Sequence, residues 1–169
     1  MRPTGTGASA GAEPAIRRAT VEDAAELARL RWDFRTEHGT SATWSYEEFL
    51  AAFQDFARDA LGGSAWRAWV AEADGRSVGC VWLQLVERVP HPGLRRWERP
   101  IAYVTSMYVE PSMRNAGLGR RLLDEAVAFS RAAEVDDVIL FPTEASLAFY
   151  RRAGFATDGA PLHLPVAGD

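Results

Sequence analysis

The segment Val109-Glu110-Pro111-Ser112-Met113-Arg114-Asn115-Ala116-Gly117-Leu118-Gly119-Arg120-Arg121 constrains this chain more than any other. A β-forming run over residues 101–109 enters it. An amphipathic helix over about 117–133 leaves it, with Leu118, Leu122, Leu123, Ala126, Val127 and Phe129 on one side. Gly117 and Gly119 lack the Cβ atoms that would keep a ligand off the backbone. The unpaired N–H groups of a first helical turn point at one spot, with the positive end of the helix dipole behind them. Arg114, Arg120 and Arg121 add charge that opposes the dipole unless an anion is present. The pattern predicts an anion site whose natural ligand is a phosphate; a plain strand-to-helix turn is the competing reading. A Walker loop is absent, since no GxxxxGK is followed by Ser or Thr. A Rossmann fingerprint does not fit either, because the glycines come late and their strand follows a hairpin.

The other elements follow from periodicity and caps. Residues 15–19 are a strand candidate. Thr20 with Asp23 has the form of an N-cap, and Val21, Ala24, Ala25, Leu27, Ala28 and Leu30 predict a helix to about Phe34. Residues 35–44 read as a loop. Ser45 caps a second helix, with Glu47 and Glu48 in its first turn and Gly62-Gly63 at its end. Strand-like runs at 66–72 and 78–86 flank Ala73-Asp74-Gly75-Arg76 as a hairpin, and 87–100 is a Pro-rich basic loop. Residues 138–141 form a short apolar strand, 144–153 a short helix, and 155–166 a terminal hairpin around Asp158-Gly159. This order predicts a mixed α/β fold with one sheet, in one domain over 15–169 behind a flexible tail over 1–14.

A length of 169 residues suffices for a sizeable core. The net charge of −4 gives no basic footprint for nucleic acid; in the basic patch Arg95, Arg96, Arg99 the loop Arg95-Arg96-Trp97 reads as an exposed turn, against one that leans over bound phosphates. No apolar run reaches the roughly 18 residues that span a bilayer, and residues 1–14 lack the apolar middle of a secretory signal. A cytoplasmic protein without nucleic-acid or membrane partners is expected. Cys80 is the single cysteine and lies in an apolar run, which predicts a buried structural thiol. His38, His91 and His163 show no ligand spacing, so no metal is expected.

Two motifs then carry a resemblance. Arg114-Asn115-Ala116-Gly117-Leu118-Gly119, preceded by Val-x-Pro, resembles the R/Q-x-x-G-x-G/A signature of the GNAT superfamily of N-acetyltransferases. Thr143-Glu144-Ala145-Ser146-Leu147-Ala148-Phe149-Tyr150-Arg151-Arg152-Ala153-Gly154-Phe155 is similar to that family's N-x-x-A-x-x-F/L-Y-x-x-x-G-F. Phe149-Tyr150 and Gly154-Phe155 stand in register, while Thr143 replaces the common Asn and Ser146 the common Ala. The resemblance runs from Ile16 to about Val166. It implies a single GNAT-like domain: a central, mostly antiparallel twisted sheet, splayed between the fourth and fifth strands, with helices on both faces.

The resemblance also implies an activity: transfer of an acetyl group from acetyl-CoA, as cosubstrate, to a primary amine of a small molecule or peptide. The amine attacks directly in a ternary complex. A non-catalytic acyl-CoA-binding module is the alternative on the same fold. Acetyl-CoA would lie between strands 101–109 and 138–141, its pantetheine amides pairing with the backbone of Met107, Tyr108 and Val109. Arg114, Asn115, Ala116, Gly117, Leu118, Gly119 and Arg120 would cradle the pyrophosphate, and Thr143, Ser146 and Phe149 would complete the site. Thr143 lacks the amide of the usual Asn and so its contact to the pantetheine arm. Tyr150 would be the general acid that protonates the departing thiolate, against a reading of Phe149 and Tyr150 as core aromatics.

No general base is legible. Tyr103, Thr105 and Ser106 on the fourth strand are not acids, which leaves Glu98 and Glu72 as candidates. The first two helices, expected to wall the acceptor site, carry Asp33, Glu37, Glu47, Glu48 and Asp55 among aromatics, including Trp32 and Phe49. That would suit a cationic amine with an apolar portion, against a solvated face over an aromatic core. Homodimers are common in such enzymes and remain open here.

Overall fold

The computed structural model describes residues 13–37, 39, 43–89 and 99–156. β1 (Ala15–Arg18) runs through Thr20 into a 3-10 turn (Val21–Asp23) and α1 (Ala24–Thr36). The expected cap is present: the Asp23 carboxylate accepts the Thr20 N–H at 2.8 Å. Arg17 grips the same carboxylate with both terminal nitrogens, at 2.8 and 2.7 Å. One buried acid therefore fixes the end of β1 and the start of α1. α2 (Tyr46–Gly62) begins at Ser45, whose hydroxyl accepts the Glu48 N–H at 3.2 Å while Glu48 accepts the Ser45 N–H at 2.8 Å. This reciprocal cap satisfies two donors at once.

β2 (Trp66–Ala73) and β3 (Arg76–Val86) form the expected hairpin, turning at Asp74 and Gly75 with φ of 50° and 74°. Two left-handed residues match the twist of antiparallel strands. β4 (Ile101–Val109) lies antiparallel to β3. α3 (Leu118–Ala132) then crosses over to β5 (Val138–Ile139), parallel to β4, and α4 (Glu144–Arg152) follows. The sheet order is β1-β2-β3-β4-β5. β5 is shorter than the expected 138–141: its pairing ends at Tyr103↔Ile139, and residues 140–143 leave the sheet. The terminal hairpin around Asp158-Gly159, the patch Arg95-Arg96, the candidate base Glu98 and residues 1–12 of the tail lie outside the described residues.

Helices cover both faces, so strand residues of either parity are apolar. Ala68, Val70, Cys80 and Trp82 pack toward Leu27 and Leu30 of α1 and Ala57 and Ala60 of α2. Trp69, Ala71, Val81, Leu83, Ala102 and Val104 pack toward Leu118, Leu122, Leu123 and Ala126 of α3. Gly79 lets α3 press onto the sheet: a Cβ there would stand 3.0 Å from the Tyr108 carbonyl oxygen and 3.2 Å from Leu122 Cδ1.

β4 breaks its register once. Cys80 pairs with Tyr108 and Trp82 with Thr105, so Ser106 and Met107 together face Val81 alone. Ser106 adopts φ 48°, a left-handed conformation costly for a residue with a Cβ. This is a β-bulge, and it bends β4 where β5 has already left its side. Among the described residues no helix is long and apolar enough to cross a membrane.

Candidate active site

The outer edge of β4 beyond Tyr103 has no strand partner among the described residues. A row of backbone N–H and C=O groups is thus left open between β4 and the segment leading to α4. An extended, amide-bearing ligand can add there as a strand would. Met107, Tyr108 and Val109 lie on this edge, directly after the bulge.

At the upper end of the edge the chain passes a 3-10 turn (Pro111–Met113) and enters α3 through two left-handed residues, Asn115 at φ 63° and Gly117 at φ 81°. Gly117 is the N-cap and offers no side-chain acceptor. The first intrahelical bond is Arg121 N–H to the Gly117 carbonyl at 3.1 Å, so the N–H groups of Leu118, Gly119 and Arg120 open the helix without helical partners. A Cβ on Gly117 would meet nothing within 4 Å, so the space before this turn is open. A Cβ on Gly119 would stand 3.3 Å from Met107 Cε, 3.7 Å from Val109 Cγ2 and 3.9 Å from Phe149 Cε2. The two glycines thus serve different needs, a backbone angle at Gly117 and a close approach of α3, β4 and α4 at Gly119.

The arginines behave differently from the expectation. Arg114 donates with Nε to the Val109 carbonyl at 2.8 Å and with both terminal nitrogens to Glu37 at 2.6 Å, and its guanidinium carbon lies 5.5 Å from the Tyr108 ring centroid. Arg120 pairs with Asp124 at 2.8 Å. Arg121 pairs with Glu13 at 2.8 Å and donates to the Pro14 carbonyl at 3.0 Å. Each cation at this helix start already has a carboxylate, so the arginines do not by themselves require a bound anion. The open turn and the glycines carry the anion argument instead.

α4 brings the second motif to the other wall. Thr143 is its N-cap: the hydroxyl oxygen accepts the Ser146 N–H at 3.3 Å and its proton goes to Ser146 Oγ at 3.0 Å. Ser146 Oγ donates back to the Thr143 carbonyl at 3.1 Å. Both hydroxyls are spent on starting the helix, a role a hydroxyl fills as well as an amide. Phe149 and Tyr150 pack edge to face at 5.0 Å between centroids, and Tyr150 and Phe155 at 5.8 Å. The Tyr150 hydroxyl reaches Met107 Sδ at 3.7 Å. Burial pushes its pKa above the usual phenol value, because phenolate would lose its hydration. A neutral O–H donor therefore stands beside the bulge of β4.

The face of β4 turned toward α1 and α2 completes the opening. Ala102 and Val104 point to the α3 side, so Tyr103 and Thr105 point the other way. The Tyr103 ring lies 5.6 Å from that of Phe141. Ser106 Oγ accepts a hydrogen bond from Arg31 Nη1 at 3.0 Å. Four of the five acids expected to wall an acceptor site are engaged, Glu47 being the exception among the described residues. Asp33 holds Arg29 at 3.1 Å, Glu37 holds Arg114, Asp55 holds Arg58 at 2.8 Å, and Glu48 caps α2. The aromatics stack on one another: Trp32 with Tyr46 and Phe49 at 5.4 Å, and Phe49 with Phe53 at 5.6 Å. Glu72, on β2 and two strands away from β4, is held by Arg17 of β1. Sequence reasoning missed Arg31, and its signal was a cation four residues after Leu27 on the buried stripe of α1.

Comparison with known proteins agrees with this architecture. The GNAT acetyltransferase domain family matches residues 64–157. A glucosamine 6-phosphate N-acetyltransferase from Trypanosoma brucei brucei is 33% identical over 117 residues, which are 69% of this chain and 75% of that protein. The structure of a GCN5-related N-acetyltransferase from Ralstonia eutropha JMP134 superposes with a TM-score of 0.76 at 25% identity, covering 92% of this chain and 99% of that one. A predicted acetyltransferase from Clostridium acetobutylicum, solved with acetyl-CoA, shares the fold with a TM-score of 0.77 at 18% identity, covering 90% of this chain and 96% of that one. Fold and sequence together define an acyl-transferring enzyme. The chain belongs to the GNAT family of acetyltransferases and is an N-acetyltransferase that uses acetyl-CoA.

Proposed function

We propose that acetyl-CoA and the acceptor amine meet in the opening between β4 and β5, within one catalytic unit over residues 15–169. The observation that carries this reading is the Tyr150 hydroxyl, 3.7 Å from Met107 Sδ at the bulge of the unpaired β4 edge. Bound acetyl-CoA supplies an activated acetyl thioester. The backbone of Met107, Tyr108 and Val109 pairs with its pantetheine amides. The segment from Arg114 to Arg120 wraps its pyrophosphate, with the N–H groups of Leu118, Gly119 and Arg120 as donors and Asn115, Ala116 and Gly117 shaping the turn. Arg114 acts there mainly by fixing the turn to α1 through Glu37. Thr143 and Ser146 hold the start of α4, and Phe149 forms the apolar wall opposite Gly119.

A backbone N–H donor beside the bulge stabilises the carbonyl oxygen as charge develops on it. The amine nitrogen bonds to the acetyl carbon and its proton leaves to solvent. Tyr150 gives its phenolic proton to the sulfur as the carbon–sulfur bond breaks, then regains one from water. The acids of α1, Asp33 and Glu37, are held by arginines, so the amine enters already neutral. The acceptor is a primary amine of a small molecule or peptide. The 33% identical relative, named for glucosamine 6-phosphate, supports a small molecule. The buried lone thiol of Cys80 fits a reducing compartment such as the cytoplasm.

Release of CoA thiol measured against a panel of amines tests this reading. Tyr150→Phe is expected to lower kcat about a hundredfold, the usual weight of a general acid, with the Kd of acetyl-CoA little changed. An unaltered kcat would remove Tyr150 from the chemistry.

A further inference from the structure

Arg31 is a cation that the proposed chemistry does not use. It lies half-buried on α1, with Nη1 donating to Ser106 Oγ at 3.0 Å and its guanidinium carbon 5.7 Å from the Phe34 ring centroid. Of the arginines nearby, Arg29 binds Glu26, Asp33 and Glu110, and Arg114 binds Glu37. Among the described residues no carboxylate lies within ion-pair distance of Arg31. The charged and titratable groups that act on it are Arg35 along the helix, the Cys80 thiol and the Tyr103 phenol. Burial is the largest influence, and it disfavours the charge. A cation drawn out of water without a counter-ion is costly to the fold, and an anion delivered to it offsets that cost.

The position matters as much as the charge. Ser106 is the left-handed residue of the bulge, and the next residue, Met107, carries the sulfur that Tyr150 touches. A guanidinium has five N–H donors in a planar fork. A single one is used on Ser106 among the described residues, which leaves a bidentate edge for an oxyanion. Tyr103, on the same face of the sheet, packs its ring against that of Phe141, and the two offer an apolar flank.

Resting on the reading of the opening as the acyl-transfer site, we propose that Arg31 binds an anionic group of the acceptor, a carboxylate or a phosphate. The acceptor is then a small amine that also carries an acid, and not the cationic apolar amine that the acids of α1 and α2 had suggested. Asp33, Glu37, Glu48 and Asp55 are already engaged, so Arg31 sets the charge of the acceptor side.

The test uses the full chain at saturating acetyl-CoA, which has the advantage that the chain contains no lysine to compete as acceptor. CoA release is measured for two matched pairs, glucosamine with glucosamine 6-phosphate and phenylalanine with phenylalaninamide. The acid-bearing member of at least one pair is expected to show a kcat/KM about ten- to a hundredfold higher, as one charged hydrogen-bonded contact provides. The pair that responds separates phosphate from carboxylate. Arg31→Gln is expected to abolish this ratio by raising KM for the acid-bearing amine alone, and Arg31→Lys to restore part of it. Equal losses for both members, with a lowered Tm, would make Arg31 a support of the bulge and overturn the proposal, as would a wild-type preference for the uncharged members. Turnover without discrimination defeats this proposal alone. Absence of turnover with all four amines defeats the reading of the opening with it.

Discussion

A phenol packed among Phe149, Phe155 and Met107 gives up its proton less readily than one in water, since phenolate would lose hydration and gain no cation. Tyr150 is therefore protonated across the working range, as a proton donor must be. Rate should rise with pH as the acceptor amine loses its proton. It should fall only above about pH 10, the ordinary phenol value, because the Tyr150 pKa is raised. A pH–rate profile checks this, and a downward limb near pH 8 would assign the acid to another group. Cys80 illustrates the same physics without chemistry. Its thiol, donated to the Ser106 carbonyl at 3.6 Å, is pushed up to about 12 by burial. A thiolate-seeking reagent at pH 8 should leave the folded protein unlabelled and react once it is denatured.

At the scale of elements, two joints differ in what they tolerate. The start of α3 needs Gly117 for its φ of 81° and Gly119 for closeness to Met107 and Phe149. Gly117→Ala should cost about 1 kcal/mol of stability through the left-handed angle alone, with no steric clash. Gly119→Val forces branches against Met107 and Phe149, and should raise the KM for acetyl-CoA more than Gly117→Ala does. Denaturant melts together with kinetics separate the two effects. The joint of β1 and α1 depends on Asp23, whose pKa is lowered chiefly by Arg17. A carboxylate with a lowered folded pKa stabilises above its unfolded value near 4, and that contribution is lost as pH falls through the folded value. Asp23→Asn should cost about 2 kcal/mol at pH 7, combining a lost cap and a charged hydrogen-bonded pair. It should also flatten the stability curve below pH 4. An unchanged acid limb would show that other carboxylates govern it.

The whole molecule couples these joints around one opening. A ligand that binds only the folded state stabilises it by mass action, about 2.7 kcal/mol at a hundredfold excess over Kd. Acetyl-CoA should thus raise Tm in step with the logarithm of its concentration, and a Tm indifferent to acetyl-CoA would contradict the placement of the cradle. Much of this arrangement was legible in the chain. Caps at Thr20–Asp23 and Ser45–Glu48, the Asp74-Gly75 hairpin and the helical period after Gly117 are local, and local geometry is written in neighbouring residues. The shared site of Gly117, Gly119, Phe149 and Tyr150 was instead implied by the family resemblance of the two motifs, and the structure brings Gly119 close to Phe149, 3.9 Å from a Cβ on Gly119 to Cε2. Pairings between distant segments were not legible. Arg114 with Glu37, Arg31 with Ser106, and Arg17 with Glu72 depend on which helix face or strand meets which. The bulge at Ser106–Met107 depends on the register of β3 against β4. Sequence alone determined most of the elements and the glycine-opened start of α3, because backbone angles and periodicity are short-range. Tertiary structure alone decided which charges are already matched and which, at Arg31, is left for a ligand, because ion pairing is settled by distances that only packing sets.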